Sequence, residues 1–348
     1  ETALPPSPNY CEACAEGQYT TAQNLLVCST CNIPPEGNVT VREDCIQRTE
    51  IVVTGDLNVT GKENVYTTIQ GGGNNRHFYV GSGAPTLTLR WLNLTGGTAK
   101  SSLGSGDGGS IHAYRVELHI SDCIFYKNSA GMYGGAIDAR GVDSSYGTFH
   151  SQNVQYIHNS AGYGGGALHF SHISCTINSD LFILNTAKRQ GGAIKAGVST
   201  LNLTQTTLKQ NKQTRKVNPW HGGGGLFIAY RSIISIRNCM FLDNEANNQG
   251  HQIMAEWASF SKPSIALVNT RFTNVETDDN FYGFNNTIHQ SPVHGTDKFL
   301  PPQTCASNPC TVFPFTGTCT NRPQNLGVLC DYDEATTCSG NEYKQFVS

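Results

Sequence analysis

Three sets of side chains in this sequence have types and spacings that could do chemistry. The first is a line of ionisable residues, His112, Asp138, His169 and Lys195. Each stands one place after a Gly-Gly-x-apolar word, with Ile228 and Met254 in that place in the later copies. Imidazole, carboxylate and imidazole at matched positions of a repeat could hold a metal ion or pass a proton. The second set is ten cysteines crowded at the two ends: Cys11, Cys14, Cys28, Cys31 and Cys45, then Cys305, Cys310, Cys319, Cys330 and Cys338. The third is the run of Asn-x-Thr sequons at Asn38, Asn58, Asn93, Asn202 and Asn285. These are acceptor sites for N-linked glycans in the secretory pathway, where thiols also oxidise.

The elements that must position these groups follow from an internal repeat. The words Gly108-Gly109-Ser110-Ile111, Gly134-Gly135-Ala136-Ile137, Gly165-Gly166-Ala167-Leu168, Gly191-Gly192-Ala193-Ile194 and Gly224-Gly225-Leu226-Phe227 recur, with a degenerate copy at Gly250-His251-Gln252-Ile253. Their last positions, 111, 137, 168, 194, 227 and 253, step by 26, 31, 26, 33 and 26. A second word, aromatic-x-x-Asn-x-Ala, runs in phase from Phe125, Tyr156, Phe182 and Phe241. Before each aromatic lies an alternating run such as Val116-Glu-Leu118-His-Ile120 or Leu201-Asn-Leu203-Thr, the mark of a strand with one buried face. A repeat of this length suits one coil of a β-helix, with the longer steps as loop insertions near 140–145 and 212–221. Coils that cannot bury their own apolar edge must stack, and eight of them at ~4.8 Å make a rod about 38 Å long.

Stacking assigns further roles. Paired glycines supply the positive φ that a sharp coil corner demands. The polar residue three before each aromatic, Asp122, Asn153, Ser179, Gln205, Asn238 and Asn269, forms an expected inward ladder of bonded amides. Cys123, Cys175 and Cys239 are expected as small core residues. Alternation points the His112–Asp138–His169–Lys195 column outward, where the expectation is a solvated face of mixed charge.

The paired words Gly-Gly-Ala-Ile and Phe-x-x-Asn resemble the repeats of chlamydial polymorphic outer membrane proteins, over about residues 86 to 275. That resemblance implies a β-helix and an adhesive role. The N-terminal Tyr10-Cys11-x-x-Cys14, Gly17-x-Tyr19 and Cys28-x-x-Cys31 resemble the small cysteine-rich modules of ephrin-type and tumour-necrosis-factor-type receptors. The spacing from Cys305 to Cys338 is loosely similar to an epidermal-growth-factor module. Two Cys-x-x-Cys pairs could also hold zinc, but in a secreted chain a disulfide knuckle is favoured.

Composition narrows the function. Net charge is −3 and charged residues make up 14%, so there is no basic surface for nucleic acid, and no apolar run is long enough to span a bilayer. The Asn-Thr-Asp and Gly-His-Gly words of polygalacturonases are missing, as are a Ser-His-Asp word, a phosphate loop and a metalloprotease motif. His221 precedes four glycines without the rest of a hydrolase word, and Asp278-Asp279 reads as a solvated turn. The expected fold is all-β, a right-handed parallel β-helix solenoid of the pectin-lyase-like kind flanked by disulfide-rich caps. The expected organisation is a cysteine-rich cap over 1–48, the helix over 49–290 and a cysteine-rich segment over 291–348. The expected role is an extracellular, cell-surface, glycosylated structural subunit of a filament or appendage, with adhesion as a close relative. No catalytic residue, metal or cofactor is expected. The alternative is a carbohydrate-active lyase or hydrolase. Each end holds an odd number of cysteines, so one at each end is left as a free thiol, pairs with a part of the chain not present here, or joins one molecule to the next, head to tail; other cell-surface proteins are the remaining class of partner.

Overall fold

The computed structural model describes residues 29–272, apart from 82, 84–85, 101–105, 116, 143–146, 217–220, 248–249 and 257–262. Beyond these it describes the backbone of short strands between 281 and 331. The described secondary structure is all β, stacked in parallel as a solenoid of about 7 turns. Among the described residues no helix is long and apolar enough to cross a membrane.

One coil shows the plan. A glycine strand, Ile111–Tyr114, leads to a long strand, Glu117–Ser121, then an aromatic strand, Ile124–Tyr126, and a corner strand, Ser129–Ala130. Each pairs with its counterpart one coil away, so side chains form columns. On the glycine strands the inward column is Ile111, Ile137, Leu168, Ile194, Leu226 and Ile253. On the long strands it is Leu118, Phe149, Cys175, Leu201, Ile234 and Ile265. On the aromatic strands it is Phe125, Tyr156, Phe182, Leu208, Phe241 and Phe272. All of these are buried in one continuous core. Burial of each large side chain contributes roughly 1.5–3 kcal/mol, which is how a chain with little helix propensity holds its coils together. Successive rings stack face to face, Phe125 on Tyr156 at 5.3 Å and Tyr156 on Phe182 at 4.6 Å. Cys123, Cys175 and Cys239 are buried and free, as their columns require.

Two sequence expectations need correction. The first is the amide ladder. The stacked groups do bond, Asn153 Nδ2 to Asp122 Oδ1 at 3.3 Å and Asn269 Nδ2 to Asn238 Oδ1 at 2.9 Å, but Asp122 and Asn153 lie at corners with φ of 50° and 56° and are not buried in the core. Asn and Asp tolerate the left-handed conformation that a corner requires, so polarity there reports backbone geometry. The buried ladder is instead the Asn of the aromatic word: Asn128, Asn159, Asn185, Asn211 and Asn244. Each Nδ2 donates to the next Oδ1, at 3.1, 3.0, 2.9 and 2.8 Å, and Asn244 donates to Gln252 Oε1 at 2.7 Å. Each Oδ1 also accepts a backbone N–H from the preceding coil, as from Asn128 and Asn159. The ladder therefore satisfies buried corner amides that no strand pairing reaches.

The second correction is the register of the fifth glycine word. Leu226, not Phe227, lies opposite Ile194, and the left-handed glycine is Gly223, with φ 71°. Four consecutive glycines, Gly222 to Gly225, make the word ambiguous by one residue. The residue after the left-handed glycine is as constrained. A Cβ on Gly135 would run into the Gly166 carbonyl oxygen of the next coil.

The parallel stack begins inside the segment assigned to the N-terminal cap. Gly37–Thr40 pairs with Leu57–Thr60, and Cys45–Gln47 with residues 69–71. Cys45 lies in register beneath Ile69, at the foot of the aromatic column, and forms a disulfide with Cys31. At the other end Ile288–His294 still pairs in parallel with the strand Ser264–Phe272, whereas Cys310–Val312, Phe315–Thr320 and Leu329–Asp331 pair antiparallel. Backbone direction thus changes within the segment assigned to the C-terminal cap.

A polar chain crosses the core at mid-height. Tyr156 Oη and Ser151 Oγ are 3.0 Å apart, Ser151 Oγ donates to Asp180 Oδ2, and Val154 N donates to Asp180 Oδ1 at 2.9 Å. Burial pushes the Asp180 carboxyl up to about 7, against the hydrogen bonds from Ser151 and Val154. Nearer the start, His77 is enclosed between Ser110 Oγ and the Ile69 carbonyl, and burial lowers its pKa to about 4.

Candidate functional site

The outward column of the glycine strands runs Tyr79, His112, Asp138, His169, Lys195, Phe227 and Met254. Phe227 replaces Ile228 as a consequence of the register correction. The column points away from the main core, as alternation requires, but it is not a solvated face. Asp138 is fully buried, and His112 and His169 are only 7% and 6% exposed. A second layer covers them. Tyr79 stacks on His112 at 5.6 Å and Tyr133 on His169 at 4.4 Å. Lys195 Nζ lies 4.4 Å from the Tyr133 ring centre and 5.1 Å from that of Tyr163. Tyr133 and Tyr163 come from the segments between strands, where alternation carries no information, whereas Tyr79 is the register neighbour of His112 in the same column.

Asp138 is the hub. His169 Nδ1 donates to Oδ1 at 2.5 Å, and Arg140 Nε donates to the same oxygen at 3.2 Å. His112 Nδ1 lies 2.8 Å from Oδ2, close enough for an ion pair but off the line of a hydrogen bond. Arg140 also reaches a second acid, with Nη2 2.8 Å from Asp107 Oδ2. Burial alone would raise the Asp138 pKa, but the close approach of His112, the bond from His169 and the charges of His169 and Arg140 hold it well below the carboxylate range. Burial lowers His169 to about 4 despite that carboxylate, with Lys195 and Arg140 acting the same way. A neutral ring bonded to an ionised carboxylate must carry its proton on Nδ1. Burial likewise brings the Lys195 ammonium down to about 8, against the nearby Glu256.

Asp107, His112 and Asp138 bring their ligand atoms within 4.8 Å of one another. The donor set suits a divalent cation, but the Arg140 guanidinium already joins both carboxylates. The arrangement works as an ionic clamp that pins the covering layer to the sheet. An Asp-oriented imidazole is also half of an acid–base device, with Lys195 one coil beyond His169 as an amine titrating near neutrality.

The outward face of the long strands is different. Its central column contains Asn38, Asn58, Thr88, His119, His150, Thr176, Asn202 and Ser235. Three sequon asparagines thus share one column, and Asn93 lies on the outward face of the next strand, between Thr68 and Ile124. Asn38 and Asn202 are exposed, while Asn58 and Asn93 are partly so. Asn285 lies outside the described residues. Midway up this face His119 Nε2 is 2.9 Å from Glu117 Oε1, and the His119 and His150 rings stack 4.9 Å apart. Sequence reading passed over this group, although Glu117-x-His119 is an alternating pair and His150 follows by 31, one of the repeat steps.

The cysteine expectations divide. The Cys31–Cys45 bond withdraws Cys31 from any zinc set. Cys11, Cys14 and Cys28, and the side chains of Cys305, Cys310, Cys319, Cys330 and Cys338, lie outside the described residues. Burial pushes the thiols of Cys123 and Cys239 up to about 12, which makes them unreactive. Protein-family models, curated proteins and solved structures were each compared with this chain, and none matches.

Proposed function

We propose that this chain is a secreted, N-glycosylated structural subunit of a surface filament or appendage, adhesive in part, and that it is not an enzyme. The observation that carries this reading is the stacking of Asn38, Asn58 and Asn202 in one outward column with Asn93 beside it. Glycans at those positions would clothe one face of a stiff rod. The ionic group on another face is closed over by its own Arg140 and tyrosines, which suits a clamp better than an active site. Self-association is supported by the cysteine count. With Cys31 and Cys45 paired, Cys11, Cys14 and Cys28 remain, an odd number that leaves at least one free thiol or one bond to a cysteine outside this group, such as one in the C-terminal cluster of the next molecule. The similarity to adhesin repeats points the same way.

Electron microscopy of the natively purified protein, before and after reduction and deglycosylation, tests the proposal. Long fibres of regular repeat that shorten on reduction are expected. Single short rods without glycan overturn it.

A carbohydrate-active enzyme is the second reading, and Lys195 is the observation in its favour. An amine held near neutrality beside an aspartate-bound imidazole resembles the base of a β-elimination. The matching test is ultraviolet detection of unsaturated uronate released from acidic polysaccharides, with Lys195→Met as the control.

A further inference from the structure

We propose that Glu117, His119 and His150 form a surface site for a borderline divalent cation of the zinc–copper class, whatever larger assembly the rod belongs to. Their placement is a property of the fold. Glu117 and His119 are two residues apart on one strand and so share its outward face, while His150 is the register partner of His119 on the next coil. Both strands are paired on both sides, with Thr86–Arg90 below and Ile173–Asn178 above, so the backbone holding the three groups is fixed.

The ligand atoms lie within 4.8 Å of one another. His119 Nε2 and Glu117 Oε1 are 2.9 Å apart, a hydrogen-bond spacing that must open by about 0.5 Å to the ~3.4 Å between two donors on a tetrahedral ion with bonds of ~2.1 Å. The two rings stack almost parallel, at 7°, so their in-plane lone pairs run side by side, and binding requires the exposed His150 ring to rotate out of the stack toward the shared ion. Two imidazoles and one carboxylate are the donors that zinc and copper prefer, whereas calcium and magnesium seek several oxygens. Access is open, with the side chains of His119 and Glu117 exposed by 39% and 52%.

Among the described residues no lysine or arginine pairs with Glu117. His119 is the ion-pair partner of Glu117, and the column neighbours of the two histidines are Thr88 and Thr176. This is the difference from the Asp107–His112–Asp138 group, where Arg140 takes the place an ion would need. Thr148, opposite Glu117 and two residues before His150, has a buried Oγ with no hydrogen-bond partner. That hydroxyl is free to orient the carboxylate or a metal-bound water. Three protein donors leave at least one outward coordination position, filled by water.

Calorimetric titration of the metal-stripped full chain with zinc chloride tests the site, with calcium chloride as control. One zinc-specific site is expected, and His119→Ala or His150→Ala should weaken it by about 100-fold or more, since outer-shell partners alone are worth 10–100-fold. Both side chains are on the surface, and unchanged circular dichroism identifies folded variants. Copper(II) gives an independent readout, because its paramagnetic resonance spectrum should show coupling to two imidazole nitrogens in the native chain and to one in either variant. Zinc affinity unaltered in both variants, or coupling to two imidazole nitrogens that survives His150→Ala, would place the metal elsewhere, at the terminal cysteines for example, and overturns the assignment.

Discussion

Two outward faces of one rod carry the same kinds of residue and put them to opposite uses. On the glycine strands, His112, Asp138 and His169 lie under a layer of tyrosines, and the carboxylate is surrounded by donors. On the long strands, Glu117, His119 and His150 stand in water, and the carboxylate meets a single imidazole. The strand geometry is the same in both cases. What differs is the covering layer, and with it the dielectric. A buried carboxylate is costly unless several donors surround it, whereas an exposed one gains little from any partner. The first group is therefore committed to holding the structure, and the second is free to bind.

The largest expected effect follows directly. Asp138→Ala strands Arg140 and two imidazoles in a buried site and should cost about 3–5 kcal/mol in denaturant unfolding, while Glu117→Ala should stay within about 0.5 kcal/mol. Equal costs would erase the distinction between the faces.

Acid should act mainly on the enclosed groups. His169 and His77 have folded pKa values near 4. The unfolded chain takes up those protons near 6.5, so between the two values it binds more protons than the folded one. Stability therefore falls as pH drops from about 6.5 to 4, by up to about 3 kcal/mol for each histidine. Asp180 works in the opposite direction. Its folded pKa is raised to about 7, so its contribution is favourable at low pH and is lost as pH rises through that value. Thermal unfolding across this range should show the net slope, and a flat profile would contradict the burial assigned to the two histidines.

A smaller change asks whether the cover causes the contrast. Tyr133→Ala removes the ring over His169 and beside Lys195, for an expected loss of about 2 kcal/mol. Nuclear magnetic resonance should then find His169 titrating well above 4. If its pKa stays put, the Tyr133 ring is not what shields it. The smallest effect is expected from Asp180→Thr. Thr206 already occupies the equivalent place one coil on, where its hydroxyl accepts the Asp180 N–H. The variant should lie within about 1 kcal/mol of the parent near pH 5, become more stable near pH 8, and steepen the acid loss by removing the opposing group.

The sequence made the coil legible because each coil repeats its neighbour. Alternation picked out the inward columns, and the aromatic word located the ring stack from Phe125 to Phe272. Three things were not legible, each for a physical reason. Polar corners and polar ladder positions look alike in composition, and only the left-handed φ at Asp122 and Asn153 turns those side chains out and leaves Asn128 and Asn159 inside. Four glycines in a row hide which one turns the corner, so Phe227 was read as core when Leu226 holds that place. The covering layer is contributed across coils by Asp107, Tyr133 and Tyr163, and a strand pattern reports which way a residue points but not what lies over it.

The asparagine ladder has a mechanical consequence. Its amides all donate the same way along the axis, from Asn128 through to Asn244 and Gln252, and each rung joins only adjacent coils. Tension applied to the two ends of the rod would load these rungs in series, so its strength is that of its weakest link. The ring stack is interrupted at Leu208, between Phe182 and Phe241, and that is where a pulled rod should part first. A first rupture at either end in single-molecule stretching would contradict this, while Leu208→Phe should move the break elsewhere.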